Sequence, residues 1–369
     1  MAKEKLHVGL IYGGLSPEHE VSIKSARNVY EALDPERYRV TPILIDREGR
    51  WHVEGSQNHL LGDADGAPPN RWTLFSPADE KGVILTGPEA EAGSPAVLEH
   101  VDLDIAFPML HGQNGEDGRI QGFLHTLGIP YVGPDVLASA ACMDKEVTKR
   151  LLRDAGLPIT PFRVLHRADE HPPTLDELVS EFGAPFFVKP ANSGSSVGIT
   201  KVEQEADYAD ALTYAFDYDR KILIEKGISG REIECAVLGN EHPKASVLGE
   251  IVLTAEFYTY DAKYIDADAS RMEVPADIPG DISDRMRTMA EAACRVLGCE
   301  GMARVDFFLS NDLEVLISEI NTIPGFTLRS MYPVMWEHTG LPIGALVDRL
   351  IQLGLERHAR DGKIKTTRY

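Results

Sequence analysis

Short apolar runs, each followed by a stripe at helical spacing, recur along this chain. Residues 6–12 form the first run and reach Gly13-Gly14-Leu15-Ser16-Pro17-Glu18-His19-Glu20. Val21, Ser25, Val29 and Leu33 then return at helical spacing, and Ile23, Ala26 and Tyr30 widen the stripe. Strand, glycine turn and helix open a doubly wound α/β unit. Ser16 is expected to cap this helix, with Pro17 at its first position and Glu18 in its first turn. Residues 38–45 predict a second strand and 104–110 a further one. Between them, 56–71 and 86–96 are polar and rich in Gly, Pro and Ala, which predicts surface loops. The strand at 104–110 runs into His111-Gly112-Gln113-Asn114-Gly115-Glu116-Asp117-Gly118. Glycines at a strand's C-terminal end mark the edge where open α/β sheets bind ligands, so His111 either faces a crevice or bonds its own loop. Ile120, Phe123, Leu124 and Leu127 predict a helix that ends at Gly128.

The pattern then changes. A domain boundary is expected near 133–140, a helix from Met143 to Gly156, and another over 175–182. A strand ends in Lys189 and leads into Ala191-Asn192-Ser193-Gly194-Ser195-Ser196, with a following strand at 197–202. Loops of Gly and Ser let backbone N–H groups close over phosphates, and Lys189 adds a point charge. A strand at 221–225 ends at Glu225, and Glu232 and Glu234 alternate on the next. Residues 254–274 show no period and carry Lys263 beside Tyr264, so they read as a functional loop. A helix at 281–297 feeds two apolar runs, 303–309 and 313–320, around Ser310-Asn311-Asp312, which reads as a β-hairpin. A helix at 343–355 closes the chain.

That hairpin carries the chemistry. Arg304 and Asp306 are two apart on one strand, Glu319 and Asn321 on the other, so each pair leaves a single face. Pairing the strands brings Asp306, Glu319 and Asn321 together as hard oxygen ligands of the kind Mg²⁺ prefers beside phosphates. Arg304 complements anionic oxygens. The turn at Pro324-Gly325 frees the Gly325 N–H for a ligand, and a backbone donor beside an arginine suits an oxyanion.

Composition narrows the field. The chain of 369 residues is long enough for two or three domains. A net charge of −21 argues against a nucleic-acid partner or an anionic membrane surface. No run of about 20 apolar residues is present, so no membrane span is expected. The opening residues read as a strand rather than a signal peptide. Cys142, Cys235, Cys294 and Cys299 lack zinc-like spacing, which fits reduced thiols and a cytoplasmic location.

The set GGLSPEHEVS, LHGQNGEDG, MDKEVTK, FFVKPANSGSSVGI, IEKGISGREIE, YDAKY, ARVDFFL and EINTIPGFTLRSMYP runs in this order from Gly13 to Pro333. In this the chain closely resembles the D-alanine–D-alanine ligases of the ATP-grasp superfamily. The resemblance implies an α/β protein with a Rossmann-like domain at 1–138 and two ATP-clamping domains at 139–226 and 227–369. It implies ATP and two Mg²⁺ (or Mn²⁺) ions as cofactors, D-alanine as substrate, and a homodimer. Lys145 and Lys189 would contact phosphates under a lid at 193–196, which includes Ser193, Ser195 and Ser196. Glu225, Lys226 and Ile228 would line the adenine end, Glu232 would hold the ribose, and Lys263 would reach the γ-phosphate. Asp306, Glu319 and Asn321 would bind the metal ions. Glu18, linked to Ser195 and Tyr264, would take the first D-alanine's ammonium, and His111 would face the substrates. Arg304 and the Gly325 amide would form the oxyanion hole, and Ser330 with Met331 would hold the second carboxylate. Arg329 departs from the family, which usually has an apolar residue there. The rival readings are another ATP-grasp carboxylate–amine ligase, including one forming D-alanyl-D-lactate, against which Tyr264 counts by resemblance; a nicotinamide-dependent dehydrogenase, which lacks the dinucleotide fingerprint and leaves the acidic hairpin unexplained; and a non-catalytic nucleotide-binding protein, against which Arg304 and the trio Asp306, Glu319 and Asn321 count.

Overall fold

The computed structural model describes residues 5–53, 56–62, 71–76, 82–88, 99–195, 197–253 and 270–365. Strand β1 (Leu6–Gly13) is buried along nearly its whole length. Helix α1 (His19–Ala32) follows the glycine turn and buries Ser22, Ile23, Ser25, Ala26 and Val29. Its start differs from expectation. Ser16 Oγ accepts from the Glu18 N–H at 3.0 Å, and Glu18 itself occupies the cap position. Ser22, not Val21, faces the sheet, because its hydroxyl accepts from Gly13 N and donates to Met109 O, tying helix to strands.

Strands β2 (Tyr38–Ile45) and β3 (Trp51–His52) are followed by α2 (Ser56–Leu61), β4 (Arg71–Ser76), β5 (Gly82–Pro88), β6 (Glu99–Leu103) and β7 (Ile105–Met109). The parallel pairs β1–β2 and β1–β7 form a sheet of order β3-β2-β1-β7, while β4, β5 and β6 make a separate antiparallel sheet. The loops expected at 56–71 and 86–96 thus contain regular structure. Leu60 gives α2 a buried face, and antiparallel pairing holds β4 and β5, which carry the apolar Trp72, Leu74, Phe75, Val83, Ile84 and Leu85; residues 63–70 and 89–96 of the two expected loops lie outside the described residues. The strand expected at 104–110 is β7, which begins one residue later because Asp104 separates it from β6 and its carboxylate accepts from His7 N at 2.7 Å.

Helices α3 (Arg119–Thr126), α4 (Val136–Met143) and α5 (Lys145–Asp154) come next, α5 capped by Asp144, which accepts from Val147 N. Helix α4 occupies the stretch where a boundary was expected. Strand β8 (Phe162–His166), α6 (Leu175–Phe182), β9 (Phe186–Pro190), β10 (Thr200–Val202), α7 (Glu205–Tyr218) and β11 (Lys221–Lys226) build an antiparallel sheet of order β10-β9-β11-β8. The strand expected at 197–202 is shorter because Gly198, at φ +77°, still belongs to the turn. Phe186, Val188, Ile222 and Ile224 face the two helices in an apolar core. By alternation Phe187, Lys189, Leu223 and Glu225 face the other way.

The remaining elements are β12 (Gly230–Gly239), β13 (Lys244–Leu253), β14 (Ser270–Glu273), α8 (Gly280–Leu297), β15 (Gly301–Ser310), β16 (Val315–Asn321), α9 (Met331–His338) and α10 (Ile343–Asp361). Their sheet has the order β14-β13-β12-β15-β16. One face buries Ile233, Cys235, Val305, Phe307 and Ile317 against α8 and α4. The other face changes character along the strands. Ala236, Leu238 and Met302 pack with β1, α9 and α10, whereas Glu234, Arg304 and Asp306 continue the same rows as polar groups. That change from apolar to polar marks where the packed layer ends and a cleft begins. Helix α10 runs six residues past its expected end at 355, because Arg357 is buried and donates to the carbonyls of Tyr131 and Gly133.

Candidate active site

The hairpin β15–β16 pairs Arg304 with Asn321 and Asp306 with Glu319. One residue further the register shifts: Phe307 pairs with Ile317, leaving Ser318 as a bulge. Strict alternation would put Glu319 and Asn321 on the face of Val315 and Ile317, in the core. The extra residue inverts the phase, so Ile320 is buried and Glu319 and Asn321 join Arg304 and Asp306. Arg304 donates from Nε and Nη2 to the two oxygens of Asp306, both at 2.7 Å, and Nε lies 3.0 Å from Glu234 Oε2. Such a two-pronged contact fixes the guanidinium plane. Asn321 Nδ2 donates to Asp306 Oδ2 at 2.9 Å.

The turn after β16 is held by α1 and by the loop after β7. Phe326 N donates to Ser25 Oγ at 3.1 Å, and Ser25 Oγ lies 3.0 Å from His111 Nε2. His111 Nδ1 lies 2.9 Å from Ile323 O, so it carries the proton and Nε2 accepts from Ser25. Asn28 Nδ2 donates to Phe326 O at 2.7 Å. His111 therefore borders the cleft with both ring nitrogens committed to the protein, and it acts on the turn rather than as an open donor. At Gly325 a Cβ would stand 2.8 Å from Ser330 Oγ, so glycine permits this close approach. Ser330 Oγ accepts from Thr327 N at 2.9 Å and occupies the cap position of α9, whose first N–H groups are free of helical partners.

Glu116 lines the same cleft. Its Oε2 accepts from Gly112 N at 2.7 Å and its Oε1 from Ile323 N at 3.1 Å. Burial, then the neighbouring Glu18, push its carboxyl up to about 8, against these two N–H groups and Arg304. The folded chain therefore keeps a proton that the unfolded chain releases from about pH 4.5 upward, and stability falls as pH rises toward 8. Glu116→Gln is expected to flatten this slope, read as Tm across that pH range. An unchanged slope would place the titration elsewhere.

Across the cleft, Ser195 Oγ donates to Glu18 Oε1 at 2.5 Å. Ser195 adopts φ +53°, a left-handed backbone that turns the small-residue loop toward Glu18. Lys145 Nζ donates to Ser193 O at 2.6 Å and lies 3.6 Å from Glu319. Lys189 and Glu225 pair at 2.6 Å on the inner face of the second sheet. Lys226 ends β11, Ile228 lies in the link to β12, and Glu232 lies on β12. The cleft measures about 850 Å³, opens to solvent, and is bordered by Glu18, His111, Ser195, Arg304, Gly325 and Ser330, with Glu319, Asn321 and Met331. Ser196, Lys263 and Tyr264 lie outside the described residues, as does most of the expected loop 254–274.

Sequence reasoning missed four groups: Ser25, Glu116, Lys149 and Glu234. Glu234 was visible as the alternating partner of Glu232, but only strand register sets it opposite Asp306. Lys149 stands one helical turn after Lys145. The donor set Asp306, Glu319 and Asn321 suits a hard divalent cation. Asp306 Oδ1 retains a second lone-pair direction beside its contact to Arg304, whereas Oδ2 accepts from both Arg304 and Asn321. The Asn321 amide presents an oxygen if rotated.

A family model described as D-ala D-ala ligase N-terminus matches residues 7–134, and one described as D-ala D-ala ligase C-terminus matches 151–352. The chain is 52% identical to D-alanine–D-alanine ligase A of Escherichia coli K12, over 99% of this chain and 100% of that protein. It is 50% identical to the Chromobacterium violaceum D-alanine–D-alanine ligase A, over 97% of each chain. Among solved structures, the D-alanine–D-alanine ligase from Coxiella burnetii superposes with a TM-score of 0.82 at 37% identity, covering 98% of this chain and 97% of that one. The VanG D-Ala:D-Ser ligase from Enterococcus faecalis gives 0.78 at 33%, covering 95% and 100%. Two family models that together span most of the chain, and relatives matched end to end, agree with the ATP-grasp layout of the sheets around the cleft. The chain belongs to the D-alanine–D-alanine ligase family.

Proposed function

We propose that this chain joins two D-alanines into D-alanyl-D-alanine, converting ATP to ADP and phosphate, for cell-wall precursor synthesis. The observation that carries this reading is a single cleft walled on one side by Glu18 and Ser195 and on the other by Arg304, Gly325 and Ser330. Glu18 receives the ammonium of the first D-alanine, and the Ser195 hydroxyl, with Tyr264, fixes that carboxylate. An oxygen of the first D-alanine's carboxylate attacks the γ-phosphorus, the bond to ADP breaks, and an acyl phosphate results. The second D-alanine sits with its carboxylate at Ser330 and the opening N–H of α9 at Met331. Its amine attacks the acyl carbon. Arg304 and the Gly325 N–H stabilise the tetrahedral oxygen, the bond from the acyl carbon to the phosphate oxygen breaks, and the departing phosphate takes the proton that the amine loses.

Lys145, Lys189 and Lys263, with the loop Ser193, Ser195 and Ser196, serve the phosphates. Glu225, Lys226 and Ile228 serve the adenine, and Glu232 the ribose. Asp306, Glu319 and Asn321 would hold two Mg²⁺ or Mn²⁺ ions, which when bound neutralise phosphate oxygens. The division 1–138, 139–226 and 227–369, a cytoplasmic location and a homodimer belong to the same proposal; no described helix is long and apolar enough to cross a membrane.

The test is phosphate released from ATP with and without D-alanine, alongside dipeptide formed. Release that requires D-alanine and matches dipeptide is expected. Release indifferent to D-alanine would end the reading. The D-Ala:D-Ser ligase among the structural relatives makes D-serine the second acceptor to compete against D-alanine, and preferential use of D-serine would move the assignment. Glu18→Gln is expected to raise the first-site KM for D-alanine with ATP affinity little changed. Equal loss of ATP affinity would reduce Glu18 to a helix-end charge.

A further inference from the structure

Three charged side chains meet in the interior between α5 and the second sheet. Lys149 is fully buried, Lys189 is 7% exposed and Glu225 is 3% exposed. Glu225 Oε2 lies 2.6 Å from Lys189 Nζ, and Oε1 lies 2.8 Å from Lys149 Nζ. The second contact is an ion pair off the hydrogen-bond direction, and neither of its atoms has a hydrogen-bond partner among the described residues. The Phe162 ring lies 6.0 Å from the Lys149 ammonium. One carboxylate therefore faces two cations. Burial pushes the Lys149 ammonium down to about 8, with Glu225 opposing. Burial also pushes the Glu225 carboxyl up, but the two lysines outweigh it and hold it below its ordinary value.

We propose that Lys149 is the fixed counter-ion of Glu225, the positioning residue that lets Lys189 exchange from Glu225 to a nucleotide phosphate. This rests on the ATP-dependent reading above. Lys189 on β9 lies on the face of its sheet opposite the apolar core, and a phosphate oxygen reaching that face competes with Glu225 for the same ammonium. Its departure would strand a carboxylate in the interior if nothing else neutralised it. Lys149 has no such freedom. It sits on α5 inside the protein, and the neighbouring Thr148 hydroxyl donates to Ala141 O at 2.7 Å, anchoring that turn of helix. One lysine is thus static and the other exchangeable, and the static one keeps Glu225 neutralised in both states.

The test uses the intact enzyme. Nucleotide Kd is measured by calorimetry with ATP, alongside KM and kcat. Lys149→Met is expected to weaken ATP binding about tenfold, because Glu225 then retains Lys189. kcat at saturating ATP should stay within about threefold, with KM for D-alanine unmoved. Adding Glu225→Gln removes the stranded charge, so Lys149→Met/Glu225→Gln should bind ATP as tightly as Glu225→Gln alone. A brace that only supports the fold would lower kcat and ATP affinity together and would not be rescued; either result overturns the proposal. If Lys149→Met fails to fold, the double variant against Glu225→Gln still decides, since a further tenfold loss there contradicts it. Lys189→Ala separates the two readings. Unchanged ATP affinity in that variant sinks the ATP site itself, whereas loss in Lys189→Ala with none in Lys149→Met sinks only the role of Lys149.

Discussion

Arg304→Met is expected to lower kcat by roughly 10²–10³, the usual cost of removing one oxyanion donor. The guanidinium is held by both Asp306 oxygens and by Glu234, so its position does not depend on substrate. A donor already in place costs no reorganisation when charge develops on the tetrahedral oxygen. The substitution also leaves Asp306 and Glu234 side by side without their cation, a loss of about 3–5 kcal/mol for a buried pair. Activity must therefore be read together with Tm. Arg304→Lys separates the two effects: it keeps a positive charge between the carboxylates but lacks the fork that grips both Asp306 oxygens. It should recover much of the stability and little of the rate. Recovery of both would mean that Arg304 acts only as a counter-charge.

Glu319→Gln is expected to lower turnover at least about 100-fold, because several kcal/mol of charge stabilisation at the phosphates depends on the divalent cation. The change is nearly isosteric. The Glu319 side chain is 35% exposed and its ion pair with Lys145 is long, at 3.6 Å, so stability should hardly move. Raising the Mg²⁺ or Mn²⁺ concentration should restore part of the rate. Near-normal turnover at ordinary metal concentration, with Tm unchanged, would remove Glu319 from the metal site.

Much of this site is legible in short stretches because its groups lie close in sequence. Arg304 and Asp306, Glu319 and Asn321, and Gly325 and Ser330 each belong to one strand or turn. The pair Glu18–Ser195 is different: 177 positions separate the two residues, and only a resemblance joined them in advance. His111 illustrates the limit. A loop histidine at a strand's end fits a ligand contact and a backbone contact equally well. Folding resolves it by bringing Ser25 and Ile323 to its two nitrogens. Glu116 went unread for a related reason, since its perturbed proton arises from Glu18 and burial, neither of which is local.

What the sequence by itself determined is the set of elements and the chemical groups on them. Apolar period fixes β1, β2, α6 and the hairpin to within a residue or two, since burial selects one face of each strand or helix. Tertiary structure decided which polar groups meet. Val315, Ile317, Glu319 and Asn321 share one parity, so alternation alone assigns the last two to the core. Pairing with β15 inserts the Ser318 bulge and turns them to the cleft, because burying Ile320 against Val305 and exposing two polar side chains outweighs one disrupted ladder step. The same holds for Lys149 and Lys189. Each reads as an ordinary basic residue, and only the approach of α5 to β9 and β11 gives them one carboxylate to share.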